Sequence, residues 1–304
     1  MFEKLNGESA PAKRRRVVAA IAAVLSLGAA HAAQAVDART GWPVPHHATG
    51  VRNVAQPFAY VGPMGNPGLD PAPDGQSPVY FDIDAYQYVS ATFISGDFTQ
   101  SRPSLGIDSH SFASIAARSN FDLDSVQIGW IVQPDDPEPQ LFVFHFVEGE
   151  PTCYNGCGYV QLSATRAPGM HVDVTDTPQS YAIQYADGDW YVGYQGEWIG
   201  YFPGSEWNGR FVAMDHAQWY AEVAAANRWP CAEMGNGAFA DQEGAASISN
   251  LAVDGAPADS LPGIVHFPVA YSSGGATPTS FYYGGPGLCY DEQFIFYDDF
   301  NYRS

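Results

Sequence analysis

SVQIGWIVQ, residues Ser125–Gln133, is the stretch on which the fold turns. Side chains alternate along an extended chain, so Val126, Ile128, Trp130 and Val132 share one face and Gln127, Gly129, Ile131 and Gln133 share the other. The first set is β-branched or aromatic throughout, the composition of a packed strand face. Working outward, strand-like runs recur: YQYVSATFIS before it, then QLFVFHFVEG, GYVQLSA, QSYAIQYADG, DWYVGYQG, EWIGYFP, DHAQWYAEV and SISNLAVDG after it. Gly, Pro, Asn and Asp punctuate them, and no amphipathic helix competes. The reading is an all-β fold, an antiparallel and jelly-roll-like β-sandwich with a groove on one sheet face.

Two strands suggest that groove. In SVQIGWIVQ the apolar face is complete, so Gln127 points to the other side, where Gly129 leaves room for a ligand backbone. In DHAQWYAEV, Trp219, Ala221 and Val223 point one way and Gln218, Tyr220 and Glu222 the other. A polar strip of this kind suits a peptide or a glycan. A solvated sheet face is the other reading of the same alternation.

The chain begins with a basic cluster, Lys13 to Arg16, and then VVAAIAAVLSLGAA and HAAQAV. That order reads as a cleaved export signal over residues 1–35 with processing near Ala35, and a secreted or periplasmic protein is expected. Residues 36–78 hold prolines at 43, 45, 57, 63, 67, 71, 73 and 78 and read as a Pro-rich linker or short pro-segment. The sandwich domain is expected over residues 79–304. Residues 1–35 carry five of the 13 Lys/Arg and two of the 33 Asp/Glu, so the remainder keeps 8 basic and 31 acidic residues. Such a surface repels nucleic acid and anionic membranes, and neither is expected as a partner. A monomer is expected.

Export also gives the four cysteines a meaning, because oxidising compartments favour disulfides. Cys153 and Cys157 enclose Tyr-Asn-Gly, a turn sequence, where a helix would hold the two sulfurs apart. Zinc would need further Cys or His ligands at close spacing, and thioredoxin-like chemistry needs two intervening residues rather than three. A local bridge Cys153–Cys157 follows, and by elimination Cys231 pairs with Cys289. Neither a metal nor a cofactor is expected.

The other motifs are weak. There is no H-E-x-x-H, G-x-S-x-G or Walker sequence. Asp108 to Ser111, DSHS, reads as a polar loop. Asp122 and Asp124 share a strand face but lack a calcium-loop frame. His145 lies in an apolar run, as a hydrogen-bonded core histidine would. His46 and His47 fall in the Pro-rich segment, and Trp190, Tyr194, Trp198 and Tyr201 read as packing residues.

Six stretches occur in order: VQIGW, CYNGCGYVQ, WIGYFP, AQWYAEV, MGNGAF and CYDE. Together, from about Tyr86 to Asp291, they resemble the neprosin family of secreted glutamic peptidases. The resemblance implies an antiparallel β-sandwich that cleaves peptide bonds, preferring to cut after proline, through two glutamates on an open sheet face. The second family glutamate corresponds to Glu222. At the first, two residues before the Gly-Trp pair, this chain has Gln127, the neutral isostere.

The expectation that follows is an exported glutamic endopeptidase acting on proline-containing peptides or proteins. Glu222 would be the general base and Gln127 the amide donor to the oxyanion; Gly129, Tyr220 and Gln218 would line the groove. The competing expectation is a catalytically degenerate sandwich that binds peptides or glycans. A two-carboxylate glycoside hydrolase is a more distant third.

Overall fold

The computed structural model describes residues 35–46, 79–106, 109–121, 123–226 and 228–289. All belong to one unit, Ala35–Ser304. In chain order the strands are β1 (Val79–Ala91), β2 (Phe93–Gln100), β3 (His110–Ser119), β4 (Asp124–Gln133), β5 (Asp136–Val147), β6 (Glu150–Pro151), β7 (Val160–Gln161) and β8 (Thr175–Ala186). There follow β9 (Asp189–Tyr194), β10 (Glu197–Pro203), β11 (Met214–Ala225), β12 (Ala246–Val253), β13 (Ala256–Pro257), β14 (Leu261–Pro262), β15 (Ser272–Thr277) and β16 (Ser280–Gly284). One 3₁₀ turn, Gly204–Trp207, interrupts them. Among the described residues no helix is long and apolar enough to cross a membrane.

Two antiparallel sheets form. The first has seven strands in the order β14-β1-β11-β3-β4-β5-β6, and the second runs β15-β16-β12-β2-β8-β9-β10-β7, with β13 paired to β12. This is the antiparallel sandwich expected from the alternation. The faces between the sheets supply the main core: Val126, Ile128, Trp130 and Val132 of β4 pack with Trp219, Ala221 and Val223 of β11 and with Ile94, Ile183 and Trp190 of the second sheet. Trp190 and Trp219 each satisfy their buried indole N–H on a backbone carbonyl, of Phe211 and Ser95 respectively.

The second sheet also packs on its outer side. Trp42, from the stretch read as a linker, is buried against Trp198 with ring centroids 5.0 Å apart. The Trp198 indole N–H donates to the Pro43 carbonyl at 2.6 Å. A lone tryptophan among prolines has no periodicity to reveal that it packs.

Both disulfides are formed, Cys153–Cys157 and Cys231–Cys289. The turn held by the first brings Tyr154 onto the outer face of the first sheet, 4.9 Å from Phe144. Asn155 pins it by accepting the Val143 backbone N–H at 3.0 Å. This is a structural staple on a turn.

His145 is fully buried, between Phe202 and Trp207, with Thr152 Oγ1 at 3.0 Å from Nδ1. Burial pushes its pKa down to about 4. It stays neutral in the folded protein while the unfolded chain takes up a proton near 6.5, so its contribution is intact above pH 6.5 and is lost as pH falls towards 4. The loss amounts to about 3 kcal/mol. Urea unfolding at pH 7 and pH 4 should show His145→Phe losing less stability over that interval than wild type. Equal losses would refute the assignment.

Candidate active site

The site is built on the outer face of the first sheet. On β4, β3, β11 and β1 every second residue faces the core, so the intervening ones face outward. Register sets the rows: Gln127 pairs with Ala116, and Ala116 with Gln218, which pairs with Tyr86. Two residues along, Gly129, Ser114, Tyr220 and Asp84 form the next row. Beyond it lie Ile131, Phe112, Glu222 and Asp82.

Gln127 and Glu222 therefore share a face but are not neighbours. They sit two strands and four residues apart, about 16 Å between Cα atoms from ordinary strand spacings. Tyr220 lies between them and donates its hydroxyl to Gln127 Oε1 at 2.8 Å. Burial, and then the nearby Glu222, raise the Tyr220 pKa well above the ordinary phenol range, so this donor stays protonated. With its carbonyl engaged, the Gln127 amide has its N–H groups left for other acceptors. Glu222 is fully buried and meets His110 Nε2 at 3.2 Å.

Gln218 is held on both sides: Arg118 donates to its Oε1 at 2.7 Å, and its Nε2 donates to Asp84 at 2.8 Å. Burial raises the Asp84 pKa, opposed by this hydrogen bond. These groups line a cleft of about 440 Å³, together with Asp82, Tyr86, Tyr88, His216 and His266. Tyr86, Tyr88 and His216 form an aromatic cluster there, with Tyr88 and His216 ring centroids 4.9 Å apart. Of the residues carried over from the sequence, Gln218 lines this cleft; Tyr220 is buried beneath the groove floor among Phe112, Phe142, Phe144 and Tyr154.

Gly129 has a different reason from the one expected. A Cβ there would lie 2.1 Å from the Ala113 carbonyl and 2.8 Å from Ser114, so the glycine admits the neighbouring strand β3 rather than a ligand.

Several groups at the site went unread in the sequence. His110, in the DSHS stretch expected to be a polar loop, opens β3 and reaches Glu222. Asp82 and Asp84 belong to an alternating run on β1 whose outward carboxylates resemble an ordinary solvated face. His266 comes from an irregular segment, and its Nδ1 lies 3.5 Å from Asp82 Oδ2, which raises the histidine's pKa. Asp124 is held by Arg210 at 2.7 Å, while Asp108, Asp122 and His47 lie outside the described residues. Among the described residues no group of three or more His, Cys, Asp or Glu is arranged to hold a metal ion.

Comparison with known proteins adds the family. Among solved structures, the chain is similar to Scytalido-glutamic peptidase at 10% identity, covering 69% of this chain and 100% of that one, with a TM-score of 0.41. It is similar to SCP-B, a member of the Eqolisin family of peptidases, at 12% identity over 69% and 100% of the two chains, with a TM-score of 0.36. It is also similar to a Bacillus licheniformis beta-glucanase at 7% identity over 49% and 67%, with a TM-score of 0.31. The family model described as Neprosin matches residues 107–286, more than half of the chain and the whole span from β3 to β16. The chain belongs to the neprosin family.

Proposed function

We propose that this protein is an exported glutamic endopeptidase, monomeric, that cleaves proline-containing peptides or proteins on the carboxyl side of proline. The observation that carries the reading is Glu222, a fully buried carboxylate on the outer face of the sheet and the register partner of the cleft-lining Asp82; the sequence resemblance assigns it to the family's second glutamate. Its contact with His110 orients it, and burial keeps competing solvent away. Two disulfides and an acidic surface suit life outside the cytoplasm.

In this reading Glu222 takes a proton from the water that attacks the scissile carbonyl. Gln127 donates an amide N–H to the substrate, since Tyr220 occupies its carbonyl. In this reading that N–H serves the developing oxyanion. The test is incubation of the purified protein with a proline-containing peptide from acid to neutral pH, read by mass spectrometry. New termini following proline support the reading, and an intact peptide across the range refutes it.

Gln127→Ala should lower kcat/KM about 100-fold, as loss of one oxyanion donor does. Gln127→Glu should be tolerated, because a carboxylate can also accept the Tyr220 hydroxyl. If wild type is inert and Gln127→Glu cleaves, the binding module is the right description; the Gln at this position is the observation that favours that second reading.

A further inference from the structure

The partner that Glu222 meets across the sheet is not Gln127. Asp82 on β1 is its direct register partner on β11, and the two outward side chains of such a pair have Cβ atoms about 5 Å apart. Both residues are buried, Asp82 at 3% exposure and Glu222 at 0%. Asp82 lines the cleft, and its Oδ1 is buried with no hydrogen-bond partner. Its Oδ2 faces His266 Nδ1 at 3.5 Å, just as Glu222 faces His110 at 3.2 Å. The row is thus imidazole, carboxylate, carboxylate, imidazole, with Asp84 and Arg118 as the next charged groups around the cleft.

Resting on the peptidase reading above, we propose that Asp82 is the second catalytic carboxyl of this site, the general acid that protonates the leaving nitrogen, in the place left by the neutral residue at 127. Asp82 Oδ1, buried without a hydrogen-bond partner on a residue that lines the cleft, is the atom placed to deliver the proton. The water oxygen bonds to the carbonyl carbon while Glu222 accepts one of its protons. The C–N bond then breaks as the Asp82 carboxyl gives its proton to the nitrogen, releasing an amine and a carboxylic acid. His266 steadies the new Asp82 carboxylate, and the proton on Glu222 passes back to Asp82 to reset the pair.

An acid is required only when the leaving group needs a proton. An amide nitrogen does; a p-nitrophenolate leaving an activated ester does not. The experiment compares wild type, Asp82→Asn and Glu222→Gln on a proline-containing peptide and on the p-nitrophenyl ester of the same acyl sequence. Expected is an Asp82→Asn protein that loses 100-fold or more in kcat on the peptide, with KM within about twofold, and keeps ester turnover within a few-fold. Glu222→Gln should lose both.

Equal losses on ester and peptide for Asp82→Asn would mean that Asp82 only supports the fold, and would overturn the proposal. Full peptide turnover in Asp82→Asn would overturn it too, while leaving the peptidase reading standing. A wild-type protein inert on both substrates sinks the peptidase reading and this proposal with it. Should Asp82→Asn not fold, Asp82→Ala in the same two assays decides by the same ratio.

Discussion

Glu222→Gln is expected to reduce peptide cleavage by about 10³-fold or more with the fold unchanged. The replacement keeps the side chain's length and shape, which matters at a position with no exposed surface. The Gln carbonyl can still accept from His110, so the 3.2 Å contact survives in a neutral form. What disappears is a carboxylate able to take a proton from water, and a positioned base contributes roughly 10²–10⁴ in rate. Stability should hold or rise, because neutralising a buried charge removes a desolvation cost. Mass-spectrometric initial rates on a proline-containing peptide, together with near-UV circular dichroism of the packed tryptophans, separate chemistry from folding. A Glu222→Gln protein that cleaves at the wild-type rate would place the active site elsewhere.

The parts of this architecture legible in sequence are those with a local period. β4 is the clearest case: its alternating residues go to the inter-sheet core as expected, and Gln127 goes to the other face. The same logic placed Gln218, Tyr220 and Glu222 together on β11. Local alternation does not contain register. That Glu222 lies beside Asp82, and Gln127 level with Gln218, depends on which strands pair, and β1 and β11 are separated by more than a hundred residues. The distance between Gln127 and Glu222 is invisible in the sequence for that reason.

The outer face hides a second feature. Alternation marks a residue as outward but does not say whether that face is open or covered. Here Phe112, Ile131, Phe142, Phe144 and Tyr154 make an outward cluster of their own, buried around Tyr220. The apolar partners come from separate strands and from the disulfide-bound turn, so no single segment announces the cluster. Gly129 belongs to the same lesson: its reason is a neighbouring backbone, which only the assembled sheet reveals.

Removing the Cys231–Cys289 bridge should be the most damaging change to stability among those that leave the site untouched. The bridge spans 58 residues of sequence. In the chain-entropy account a loop of that length stabilises by about 4 kcal/mol, against about 2 kcal/mol for the five-residue loop of Cys153–Cys157. Its location adds to the effect. The segment after β16 returns to the loop that follows β11 through backbone hydrogen bonds, Leu288 N–H to the Pro230 carbonyl at 2.6 Å and Met234 N–H to the Gly285 carbonyl at 3.0 Å. Gly287 permits that approach: its φ is +70°, and a Cβ there would lie 2.3 Å from the Ala232 carbonyl. A backbone laid so closely is held in place by the crosslink, and the unfolded chain gains most from its loss. Cys231→Ser with Cys289→Ser should therefore lower the unfolding free energy in urea by about 4 kcal/mol with a steeper slope, because the uncrosslinked unfolded chain exposes more surface, whereas Cys153→Ser with Cys157→Ser should cost about half as much and act mainly through Tyr154 and Phe144 beside Gln127. If the short-loop variant proves the less stable of the two, local packing of the Tyr154 turn outweighs loop entropy, and the ranking drawn from loop length is wrong.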